Sequence, residues 1–249
     1  MHPLRALILM TITLAPGASQ LHGQQPVNAG SLAEPYQRLQ QLGDLRLKTW
    51  SIHGLSPLVV LLTEAPADAP LSVRGSRHQL TGFLLNGLGR TGVSLLSLRP
   101  GSDSAAFDVL QALPPGEKPQ VVIAFGERAV AAARLLVKDS LSAAFVALAP
   151  GASAPTAELA RIWSELLQSS TVPRAILVLE SGCDSSAAWL AQVEYRHRQT
   201  VLVLPQNDAW LTPKTSAACP AVPAHPIGLE YELTSLVLDW VRRNVGFPE

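Results

Sequence analysis

The stretch that decides the fold runs from Val121 to Leu136, VVIAFGERAVAAARLL. Gln120 to Phe125 (QVVIAF) is a continuous apolar run of strand length, as expected for a strand covered on both faces. Gly126 interrupts it, and Glu127 to Lys138 follows at once as an alanine-rich helix. A strand that turns through a glycine straight into a helix is a unit of a parallel α/β sheet.

The same alternation continues in both directions. Upstream, Pro57 to Thr63 (PLVVLLT) and Gly92 to Leu98 (GVSLLSL) read as strands. A Pro-rich loop from Ala65 to Pro70 follows the first, and Ser76 to Leu88 reads as a helix weakened by Gly82 and Gly87. Ser104 to Leu113 reads as a short helix before a Pro-Pro-Gly turn. Downstream, strands are expected at Ala143 to Leu148, Arg174 to Leu179 and Thr200 to Leu204. Helices are expected at Pro155 to Ser169, Ser185 to His197 and Gly228 to Val245, the last with Leu229, Leu233, Leu236, Val237, Trp240 and Val241 on one stripe. A long irregular loop separates the last strand from that helix, running to about Pro226. Near the start, Leu32 to Leu42 suggests a short helix, and alternation at Leu45, Leu47 and Ile52 suggests a strand ending near His53. Together these predict a doubly wound, mostly parallel sheet with helices on both faces, in a single domain over residues 45–249.

Ahead of that domain, Arg5 and the apolar run Ala6 to Leu14 (ALILMTITL), followed by Gly17, Ala18 and Ser19, predict a signal peptide over residues 1–19. The run is too short to span a bilayer comfortably. Residues 20–44 are then a flexible leader and the short helix. No later apolar run reaches transmembrane length, so a mature chain without a transmembrane segment, located in the periplasm, is expected. Export places Cys183 and Cys219 in an oxidising compartment, where a disulfide is expected. Closing a loop of about 35 residues would restrict the unfolded chain by about 3–4 kcal/mol. The alternative is two unpaired buried thiols.

Composition narrows function further. Of 249 residues, 47% are hydrophobic and 15% charged, with Lys+Arg and Asp+Glu both at 19. A chain so balanced, without a basic run, offers little attraction to phosphate backbones, so no nucleic-acid partner is expected. No cofactor is expected either: the Gly-rich piece Asn86 to Arg90 ends a helix instead of starting one, and no phosphate-cradling motif occurs. Two cysteines without a nearby histidine pair make a poor zinc site, so no metal is expected.

In the order and spacing of its last six strands, with the strand–turn–helix at Val121 to Leu136, the chain resembles the α/β-hydrolase superfamily. Hydrolases of this fold place a Gly-x-Ser-x-Gly elbow at that turn, lifting a serine oxygen above the sheet. The stretch here is Gly126-Glu127-Arg128-Ala129-Val130. On that spacing Arg128 takes the serine position and Val130 that of the last glycine. A guanidinium carries no lone pair to attack with and cannot be activated by a base. By the same resemblance Asp184 stands where the family's acid would be. No histidine directly follows the last strand, and only His225, deep in the long loop, remains to act as base. The loop Thr63-Glu64-Ala65-Pro66, where oxyanion donors are expected, contains a proline without an N–H and a carboxylate. The layout is also similar to an uncharacterised family of exported proteobacterial proteins with α/β-hydrolase-like structure.

The resemblance therefore implies a non-catalytic envelope protein with a binding or structural role, its partner an envelope protein or a small molecule. A buried Arg128 would need an acid, with Asp184 and Asp208 the candidates; otherwise it points to solvent or pairs with Glu127. The alternative is a serine-type hydrolase or esterase with a relocated nucleophile (Ser181, Ser185, Ser102 or Thr63) and His225 as base. Trp163, Trp189, Trp210 and Tyr195 would be anchors if the chain were instead a partner-binding module.

Overall fold

In the computed structural model, residues 34–46, 57–139, 141, 143–150, 155–169, 175–181, 189, 199–204 and 229–245 are described. Strands β1 (Gly43–Arg46), β2 (Leu58–Leu62), β3 (Ser94–Leu98), β4 (Pro119–Phe125), β5 (Ala144–Leu148), β6 (Ile176–Ser181) and β7 (Gln199–Leu204) form one sheet. Its order is β1-β3-β2-β4-β5-β6-β7. Every pairing is parallel except β1 with β3, where Gly43 faces Leu98 and Arg46 faces Leu95.

Among the described residues six α-helices cover the sheet: α1 (Glu34–Leu42), α2 (Leu71–Gly89), α3 (Asp103–Ala112), α4 (Glu127–Asp139), α5 (Thr156–Ser169) and α6 (Leu229–Val245). Helices α1, α3, α4 and α5 pack in a row on one face, and α2 packs with α6 on the other. Strands β2 to β5 are buried on both faces almost throughout, so alternate residues enter different cores. Val60, Leu62, Val122 and Ala124 face the α1–α3–α4–α5 layer. Val59, Leu61, Val121 and Ile123 face α2 and α6.

The expected doubly wound architecture is the observed one. Element ends move by a residue or two, with one larger departure: α2 begins at Leu71, well before the expected Ser76. Glycine lowers helix propensity, but Leu80, Leu84 and Leu88 recur every four residues on the buried face, and that burial outweighs the penalty. Gly87 marks where α2 meets α6, since a Cβ there would lie 2.5 Å from Leu238 Cδ1.

At the sheet edge β1 lies so close to β3 that a Cβ on Gly43 would fall 2.4 Å from the Ser97 carbonyl oxygen. The expected strand toward His53 is observed only as the short β1; residues 47–56 lie outside the described residues, as do the signal peptide, the leader to residue 33, most of the expected helix at 185–197, and the loop at 205–228. Cys183 and Cys219 also lie outside them. No helix among the described residues is long and apolar enough to cross a membrane.

Trp163 and Trp189 are fully buried, not surface anchors. Their ring centroids lie 4.8 Å apart, and Phe145 lies 6.0 Å from Trp163. The apolar rings are sequestered because core burial outweighs their polar N–H. Trp210 and Tyr195 lie outside the described residues.

Candidate functional site

The chain leaves β2 through α2 for β3 on one side, and leaves the neighbouring β4 through α4 for β5 on the other. Two crossovers that depart in opposite directions open a crevice at the carboxyl ends of β2 and β4, where sheets of this kind place ligands. The loop at Thr63–Ala65 and the β4–α4 turn border it.

At that turn the summit is Gly126. It has φ +58°, a region that favours glycine. Its N–H donates to the Leu148 carbonyl at 2.8 Å, and its carbonyl accepts from Ala129 N–H at 3.0 Å. Helix α4 starts at Glu127, so Arg128 lies within the first helical turn and not on the crest where motif spacing places it. The reason is geometric: the bend needs a left-handed residue, and glycine adopts that conformation without a Cβ penalty. Val130 is buried in the α1–α3–α4–α5 layer.

Arg128 is only 4% exposed. Its Nε donates to Asp103 Oδ2 at 3.1 Å while Nη2 contacts Asp103 Oδ1. Nη1 donates to the Leu98 carbonyl at 3.0 Å, and Nη2 to the Arg99 carbonyl at 3.3 Å. One side chain thus ties the end of β3 to the starts of α3 and α4. A buried guanidinium requires such saturation, and its forked donors match a carboxylate. Among the described residues the acid that meets it is Asp103; the expected Asp184 and Asp208 both lie outside the described residues. The crossover through α3 brings its first residue against α4. Neither solvent nor Glu127 is the alternative partner, because Glu127 is engaged elsewhere.

Arg77 on α2 holds Glu127 from the opposite face, with Nη1 to Oε1 at 2.9 Å and Nη2 to Oε2 at 3.2 Å. Its guanidinium carbon also lies 4.4 Å from the centroid of the Phe125 ring. Burial pushes the Glu127 carboxyl upward, but the Arg77 hydrogen bonds and charge outweigh it and hold the carboxyl below its ordinary value. Asp103 and Arg77 are the two site residues that the sequence reading missed. An acid in the first turn of α3 is favoured by the helix dipole and was the only available hint of Asp103; nothing in the spacing pointed to Arg77.

The candidate nucleophiles that can be placed are already occupied. Thr63 is fully buried, and its hydroxyl lies 2.6 Å from that of Thr81. Thr81 donates its single proton to the Arg77 carbonyl at 2.8 Å, so Thr63 is the donor between them. Burial corrects the expectation that Thr63 is available on the site side. Ser102 Oγ donates to the Arg99 carbonyl at 2.6 Å. Glu64 turns its carboxylate toward His78, at 3.4 Å from Nδ1. The side chain of Ser181, together with Asp184, Ser185 and His225, lies outside what is described. Among the described residues, no group of His, Cys, Asp and Glu is arranged to hold a metal.

Beside the crevice, toward β1, a cavity of about 740 Å³ runs along α2, and a second of about 530 Å³ adjoins it at Glu64, His78 and Pro100. Neither is lined by Gly126, Glu127 or Arg128.

The fold is similar to that of the esterase domain of a Rhodothermus marinus protein. The TM-score is 0.53 over 81% of this chain and 92% of that chain, at 17% identity. The fold is α/β-hydrolase-like. Est1E from Butyrivibrio proteoclasticus, in its form with ferulic acid bound, matches this α/β-hydrolase-like chain with a TM-score of 0.47 and 9% identity, over 76% of this chain and 90% of that one. No family model and no curated protein matches the sequence.

Proposed function

We propose that this α/β-hydrolase-like protein is non-catalytic and serves a binding or structural role in the bacterial envelope. The observation that carries the reading is Gly126 at the summit of the β4–α4 turn. In a working elbow the residue on that strained bend presents the attacking oxygen; here the bend holds Gly126, which has no side chain, and motif spacing gives Arg128, which has no attacking oxygen.

The flanking residues support the same reading. Glu127 is held by Arg77 and Arg128 by Asp103, so neither is poised for chemistry. The N-terminal apolar run and the similarity to exported proteobacterial proteins favour a periplasmic location, with Cys183 and Cys219 paired.

The test is treatment of the purified mature protein with a fluorophosphonate probe, together with p-nitrophenyl ester turnover. No labelled residue and no turnover above a heat-denatured control are expected. Stoichiometric labelling of one serine would instead establish a relocated nucleophile, with His225 the base to mutate next. Fractionation and a non-reduced peptide map test the location and the Cys183–Cys219 link.

A further inference from the structure

The two faces of the β1–β3 edge differ in chemistry. One is apolar: Leu45, Leu96 and Leu98 belong to the core under α1 and α3. On the other face β3 contributes Leu95 to the core under α2, and alternation puts Ser97 on that same face. Asp44 stands opposite Ser97 in the antiparallel register, and Arg46 shares its side of β1. Ser97, Asp44 and Arg46 all line the cavity of about 740 Å³ beside α2.

Ser97 is the informative residue. It is only 8% exposed, and its hydroxyl has no hydrogen-bond partner among the described residues. A hydroxyl offers one donor and two acceptor sites, and leaving them unused in a buried position is costly. The charges around it are balanced. Asp44 Oδ2 lies 2.8 Å from Arg46 Nε, Glu64 faces His78 at 3.4 Å, and the lining holds carboxylates and guanidiniums in equal number. Gln40 and Asn86 add side-chain amides, which both donate and accept, and Leu85 adds an apolar flank.

We infer that this cavity binds a neutral saccharide, with one sugar hydroxyl on Ser97. This names the ligand class for the binding role proposed above and rests on it. A sugar hydroxyl donates and accepts at once, as the unpartnered serine and the two amides require. A lining without net charge gives no preference to an anion or a cation, and the C–H face of a sugar ring suits Leu85. The volume falls in the range of small-molecule sites. The site lies over β1 and β3, separated by β2 from the β4–α4 crest.

The experiment is calorimetric titration of the mature protein with maltose, cellobiose, lactose and N,N′-diacetylchitobiose, with succinate and glycylglycine as charged comparators. At least one disaccharide should bind, and more tightly than either comparator by about tenfold. Ser97→Ala should weaken that disaccharide by about five- to tenfold. Its melting temperature should not fall, because the hydroxyl it removes bonds to nothing in the described fold. Gly82→Leu narrows the cavity from α2, where a Cβ meets nothing within 4 Å, and should weaken binding by about tenfold or more. Tighter binding of succinate or glycylglycine, indifference of the disaccharide to both variants, or no binding of any of the four at about 50 mM would each overturn the inference. Fluorophosphonate labelling with disaccharide binding intact would sink the non-catalytic reading alone. Failure of all four disaccharides in an unlabelled protein would sink this inference alone.

Discussion

Arg128 on α4 and Asp103 at the start of α3 meet through a forked, buried contact, and the remaining guanidinium donors reach the carbonyls of Leu98 and Arg99. Residues 25 apart in sequence are thus joined at the crest of the sheet. Arg128→Met leaves Asp103 uncompensated and strips those carbonyls of their donors. A loss of about 3–5 kcal/mol is expected in urea denaturation. The double variant Arg128→Met/Asp103→Leu should recover part of that loss, because two apolar residues in place of a buried pair are tolerated better than one orphaned charge. A double variant no more stable than Arg128→Met alone would show that the pair is not the source of the effect.

The Arg77–Glu127 contact predicts a pH dependence with a definite sign. The Glu127 carboxyl is held below its ordinary value of 4.5. A depressed folded value contributes stability above that ordinary value and loses it as pH falls through the folded one. The stability gap between the wild type and Glu127→Gln should therefore be present at pH 7 and close progressively below about pH 4.5. A gap that widened on acidification would reverse the sign and refute the assignment. Comparison with the variant isolates Glu127 from the other acids.

Two glycines should respond oppositely to alanine. Gly43→Ala drives a Cβ to 2.4 Å from the Ser97 carbonyl, and backbone on both sides resists movement. A loss of about 1–3 kcal/mol is expected. Gly75→Ala, inside α2 with nothing within 4 Å of its Cβ, should gain about 0.5–1 kcal/mol from helix propensity. Thermal melts of the pair check both signs; two shifts in the same direction would contradict the close approach of β1 to β3.

Thr81→Val should cost about 1–3 kcal/mol, because the buried Thr63 hydroxyl then has no acceptor. Adding Thr63→Val removes the stranded donor and should return part of the loss. Denaturant midpoints of the single and double variants measure the coupling.

The alternation of apolar runs with amphipathic segments made the sheet readable in the sequence, because strands buried on both faces leave unbroken stretches such as VVIAF. The length of α2 was harder to read: propensity counts Gly75, Gly82 and Gly87 against a helix, while Leu80, Leu84 and Leu88 contribute only once the sheet lies beneath them. The antiparallel placement of β1 beyond β3 depends on pairing, which no local pattern encodes. At the crest, the sequence shows no serine at the motif position, but the geometry of the turn could not be read from it. Motif spacing put Arg128 on the bend, whereas the backbone requires a left-handed residue and puts Gly126 there. The partner of Arg128 depended on which crossover lies against α4, so Asp103 became visible only with the topology.

The ring trio of Phe145, Trp163 and Trp189 gives this molecule an intrinsic optical gauge. Two indoles 4.8 Å apart at their centroids, tilted by 59°, sit close enough for their transitions to mix. Near-ultraviolet dichroism would then follow the seating of Trp189 against α5 separately from the backbone signal, without any attached dye.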